Sequence, residues 1–161
     1  MAMEQTEGVA GIKAGEPASE VERNKALVRR FVDEVFVKGS LEAVDELVAD
    51  DFTPHTWPSV EDKAGVKRAV EHVHAVLTQM SMTIEDLIAE GDRVAVRVTA
   101  RGVQAGPFMG LPPSGKGYVV GEIHLFRLRA GKVVEHWHQA DLLGMFQQLE
   151  ADPRSPAHLD P

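Results

Sequence analysis

The sequence predicts an α+β domain: N-terminal helices packed on one face of a strongly curved antiparallel sheet, a cone with one open end. Two observations predict it. The first half repeats apolar residues at helical spacing, and the second half holds β-rich runs separated by glycine-containing turns. Helices followed by a meander, with no strand–helix alternation, read as α+β. At 161 residues the chain is long enough for one domain and one core.

From Arg23 the apolar residues Leu27, Val28, Phe31, Val32, Val35 and Phe36 form one stripe, and Gly39 ends that helix. Ser40 can cap a second helix over Leu41 to Val48. A third runs from about Asp62 to Thr78, with Val66, Val70, Val73 and Leu77 on one face. The strands are Met82–Glu90, Arg93–Gln104, Tyr118–Arg129 and Lys132–Gln139, with turns at Gly91-Asp92 and Ala130-Gly131. A short helix, Leu142 to Leu149, closes the domain. Residues 1–21 and 151–161 are Gly- or Pro-rich and weakly apolar, so they read as tails around a domain at 22–150.

The chain has no cysteine, which removes disulfides, thiol nucleophiles and cysteine metal sites. A net charge of -8 argues against nucleic acid and anionic membranes as partners. No apolar leader or membrane span is evident, and a cytoplasmic location is the expectation. Gly110-x4-Gly115-Lys116 imitates a phosphate loop. However, Gly117 stands where Ser or Thr should follow, and the segment joins two strands, with Phe108, Met109 and Leu111 packing inward.

Several runs carry a resemblance: Asp-Phe-Thr-Pro-His (51–55), Ile-Ala-Glu-Gly-Asp-Arg-Val-Ala (88–95), Ile-His-Leu-Phe-Arg (123–127) and Gly-Lys-Val-Val-Glu-His-Trp-His-Gln-Ala-Asp (131–141). Over about residues 24–149 the chain resembles the SnoaL-like polyketide cyclases, or "ester cyclases", of the nuclear-transport-factor-2-like (NTF2-like) superfamily. The resemblance implies intramolecular aldol-type ring closure of a small apolar or aromatic polyketide, with no cofactor and no metal. It implies Asp141 as the acid–base group, His124 as its support and His55 as a substrate contact. It also implies a homodimer, for which the outer sheet face carrying Ile123 and Leu125 is the expected contact.

The residues themselves leave alternatives open. If no bulge intervenes, Trp137 and Asp141 share a strand face and line the pocket, together with Trp57. Asp141 is equally a helix cap before Leu142, and His124 could be a core histidine. His136 and His138 fall on the opposite face, outside the pocket, with no third metal ligand in view. Another acid–base enzyme on the same fold (isomerase, dehydratase, epoxide hydrolase) or a non-catalytic binding domain are the competing functions.

Overall fold

The computed structural model describes residues 19–55 and 60–149. The expected tails and Trp57 lie outside them. Helix α1 (Glu20–Phe31) continues into a π-helical segment, Val32–Val37, before α2 (Leu41–Leu47). Strand β1 (Val48–Pro54), helix α3 (Lys63–Val76), strands β2 (Leu77–Glu90), β3 (Arg93–Gln104), β4 (Gly117–Arg129) and β5 (Lys132–Ala140), and helix α4 (Leu142–Gln148) follow. The mixed α+β fold is the expected one, with a five-stranded sheet in the order β1-β5-β4-β3-β2.

Side chains start each helix. Ser19 and Ser40 accept the amides of Glu22 and Ala43, and Asp62 accepts that of Gly65 at 2.7 Å. The π-helical segment was not foreseen. Its wider turn, with the Lys38 amide on the Asp33 carbonyl, brings Phe36 beneath the sheet while Val32 and Val35 stay buried.

Two boundaries differ from the sequence expectation. Strand β2 begins at Leu77, within the apolar run that the sequence assigns to the third helix through Thr78. Strand β1 is not among the strands expected from the sequence. It runs parallel to β5 at the sheet edge, a place where a strand ending in Pro54 loses no inner ladder bond. Breaks in register within β2, at Thr78/Ser81 and Ile84/Asp86, bend that long strand, and the sheet curves without closing.

Two clusters fill the inside. Valines of β3 (Val94, Val96, Val98) meet Phe31 and Val35 above Phe126, while Tyr118, Val120, Met145 and Phe146 pack at the α4 end. Each such side chain, fully buried, stabilises the fold by about 1.5–3 kcal/mol. Gly102 is required by packing, because a Cβ there would sit 2.5 Å from the Tyr118 hydroxyl oxygen. The Gln148 side chain clasps β4: its Oε1 accepts the Val119 amide at 2.8 Å and its Nε2 donates to the Val119 carbonyl at 2.9 Å. Among the described residues no helix is long and apolar enough to cross a membrane.

Candidate active site

The β4–β5 hairpin decides which side chains face inward. Ala130 and Gly131 both have positive φ (49° and 73°), the twist that a two-residue hairpin turn needs. From Arg129↔Lys132 and Leu128↔Val133, an unbroken ladder would carry His124 opposite Trp137. Instead the next pair is Arg127↔Glu135, and Val134 is left without a partner. Val133 and Val134 are both buried, as a bulge allows. One extra residue reverses the faces of everything that follows. His124 now faces His138, Phe126 faces His136, and Trp137 pairs with Leu125.

This corrects the expected placement. His136 and His138 line the cavity, and Trp137 lies on the other face. There Trp137 stacks on His55 with ring centroids 4.3 Å apart, and His55 Nε2 lies 2.8 Å from Glu135 Oε2. Neither lines the cavity. Asp141 is exposed and caps α4, accepting the Gly144 amide at 2.8 Å. It borders a shallower depression of about 310 Å³ beside Arg97 and Ile123. Of the expected site residues within the described part of the chain, His124 alone lines the main cavity.

That cavity has a volume of about 540 Å³, between α3, β2 and the inner face of β4–β5. The volume lies in the range of small-molecule sites. Its walls are mostly apolar: Phe36, Phe52, Val66, Val73, Met80, Met82. On one side stands a polar cluster. His124 Nε2 lies 3.0 Å from Glu122 Oε2, and His138 Nε2 lies 3.4 Å from the same oxygen. His124 Nδ1 lies 3.0 Å from His136 Nε2. Phe36 and Phe126 pack against the imidazoles, with centroids 4.9 Å from His124 and 4.6 Å from His136 respectively.

One proton arrangement satisfies these contacts. Nε2–H of His136 donates to Nδ1 of His124, and Nε2–H of His124 donates to an ionised Glu122. The electrostatics agree with it. Desolvation disfavours a charged Glu122, but hydrogen bonds from His124 and His138 outweigh it and hold the carboxyl at about 2. Desolvation keeps His124 below the ordinary imidazole value against the pull of Glu122. It keeps His136 well below, helped by the neighbouring imidazoles.

The third metal ligand absent from the sequence reading is also here, since Glu122, His124 and His138 bring ligand atoms within 4.8 Å of one another. The His124 and His138 rings stack at 4.4 Å and 7°, and both Nε2 atoms face Glu122 Oε2.

Glu122, His136 and His138 are the site residues that sequence reasoning missed. The i, i+2 histidines and the carboxylate two before His124 were visible. Only the bulge puts them together.

A family model for SnoaL-like polyketide cyclases matches residues 26–149. Among curated proteins none matches the chain. Three solved structures are similar to it. TsrD from Streptomyces laurentii is 27% identical with a TM-score of 0.77, covering 84% of this chain and 100% of that one. IdmH from Streptomyces antibioticus, a candidate polyketide cyclase, is 30% identical with a TM-score of 0.70, covering 80% and 99%. A candidate SnoaL-like polyketide cyclase from Jannaschia sp. CCS1 is 28% identical with a TM-score of 0.75, covering 86% and 100%. The match over nearly the whole domain, on a curved unclosed sheet with helices across it, places this chain in the SnoaL-like polyketide cyclase family of the NTF2-like superfamily.

Proposed function

We propose that this protein closes a ring in a small apolar or aromatic polyketide by an intramolecular aldol-type reaction, as a cytoplasmic enzyme using no metal or organic cofactor. The observation that supports it is the Glu122–His124–His136–His138 cluster on one wall of an otherwise apolar cavity. The geometry favours moving the acid–base role from Asp141 to this cluster. Side-chain exposure divides the labour within it: His138 is 12% exposed, Glu122 14% and His124 3%. His136 and His138 are the partly exposed rings on the cavity, and His138 is the one beside Glu122; His124 is a positioning residue that holds the carboxylate.

The steps balance without a further reactant. A neutral His138 imidazole takes the proton from a carbon beside a carbonyl, leaving an enolate. The imidazolium forms next to ionised Glu122, which offsets its charge as a buried carboxylate does for a catalytic histidine. The enolate carbon attacks a second carbonyl of the same molecule, forming the C–C bond and an alkoxide. The imidazolium returns the proton to that alkoxide. Apolar walls hold the chain folded so that the two carbons meet.

The first step can be tested without the true substrate. α-Tetralone has an enolisable carbon next to an aromatic ketone, and its exchange with deuterated water is followed by NMR. Wild type should accelerate exchange, and His138→Gln should lose about 10²–10⁴-fold of that acceleration. Exchange at the wild-type rate in His138→Gln would remove His138 from the mechanism.

A further inference from the structure

We propose that the cavity takes flat, conjugated ring systems of more than one size, and that its methionines permit the range. The inference takes the site from the acid–base reading above and extends it to substrate class. The chain has six methionines. Met80, Met82, Met109 and Met145 are those within the described residues, and all of them line the cavity. They arrive from separate places: two from β2, one from the loop at 105–116 and one from α4.

Met80, Met82 and Met109 are partly exposed to the cavity, while Met145 is buried in the cluster at the α4 end. Of the ten largest fully buried side chains eight are valine, and none is methionine. Valine has a stiff χ1 and keeps its shape. Methionine is unbranched, turns about three bonds, and offers a polarizable sulfur that sits well against aromatic rings. A rigid floor of valine therefore carries a deformable wall of methionine. The polar groups stand together on β4 and β5 and can orient a ligand, while the methionines adapt to its outline.

Met109 supplies an independent observation. Its φ is 48°, in the left-handed region that a non-glycine residue occupies at a cost. Gly110 follows with φ 79°, and a bridge between Phe108 and Leu111 closes the turn. Glycine or asparagine would sit in that turn with less strain. A methionine stands there instead and reaches the cavity wall. Ring closure also needs such a wall, because an extended chain enters and a fused ring leaves.

Naphthol, alizarin and decahydronaphthol serve as two-ring, three-ring and saturated probes. With methyl-¹³C methionine, three or four of the domain methyl signals should shift on adding naphthol, and again on adding alizarin. By calorimetry the two aromatic probes should bind within about tenfold of each other, and decahydronaphthol more than about tenfold weaker than naphthol. Replacing Met80, Met82 and Met109 together by the similarly sized but branched leucine should widen the gap between the aromatic probes to more than about tenfold. Met109→Leu alone should move it in the same direction, which covers the case where the triple variant does not fold. Shifts in two or fewer methyls, equal binding of the saturated probe, or an unchanged gap in the leucine variants would overturn the proposal. Probe binding is read by calorimetry and proton exchange by NMR on the same wild-type protein, so failure of the substrate class (exchange present, no preference among the probes) and failure of the acid–base reading (probes bound as expected, no exchange) give different results.

Discussion

His124 and His138 sit directly opposite each other on β4 and β5, their rings stacked at 4.4 Å, because Val134 is an extra residue in the β5 ladder. Deleting Val134 should remove the bulge and leave Glu135, His136 and His138 opposite Arg127, Phe126 and His124, because only the unpaired residue is lost. The expected result is a folded variant that keeps α-tetralone exchange. A folded deletion variant without exchange would show that the site needs the bend of the bulge and not this pairing alone.

Stability should fall in two limbs as the pH is lowered. Burial holds His124 and His136 below the usual 6.5, so below that pH the unfolded chain binds protons that the folded chain refuses. Their effect is absent above about pH 6.5, and stability drops as the pH falls beneath it. Glu122 runs lower: desolvated but held by His124 and His138, its folded value is about 2 against the ordinary 4.5. The stability it contributes is complete above about pH 4.5 and lost toward 2. His136→Gln should flatten the first limb and leave the second, as read from melting temperature against pH.

Asp141 should behave as a cap. Asp141→Asn keeps an acceptor for the Gly144 amide and should leave stability and exchange near wild type. Asp141→Ala should cost about 1 kcal/mol, or a few degrees of melting temperature, with exchange again near normal. A loss of about 10²-fold or more in exchange for Asp141→Asn would instead restore Asp141 as the acid–base group.

The outer face of β4 and β5 is the proposed homodimer contact. Ile123 is 54% exposed there, beside half-buried Leu125 and Trp137. Light scattering at micromolar concentration should give a dimer mass for wild type and a monomer mass for Ile123→Glu. A monomeric wild type would end the proposal.

The helices were legible because each carries its own signal: the α1 stripe, the Ser40 cap and the valines of α3 are local. The strands of the meander were legible for the same reason, through alternation such as Val94, Val96 and Val98. Strand β1 was not, since its pairing with β5 joins segments about 80 residues apart and its own pattern is weak. The candidate site was half legible. His124 was found because its inward face is set within β4, by Phe126 and Leu128. His138 was put on the wrong face because its direction depends on Val134, and no residue type at that position announces a bulge. Trp137 misled as well. A large apolar ring reads as a pocket wall, yet here it covers His55.

The clasp of Gln148 on Val119 turns a single amide proton into a clock. The Val119 N–H can exchange with solvent only when the Gln148 carbonyl lets go, and Gln148 belongs to the helix that also carries Met145 to the cavity. The exchange lifetime of that one hydrogen therefore counts how often the Gln148 side chain releases β4, every lifting of α4 from the sheet included. A ligand seated against Met145 should slow the clock, and a change that loosens α4, such as Asp141→Ala, should quicken it.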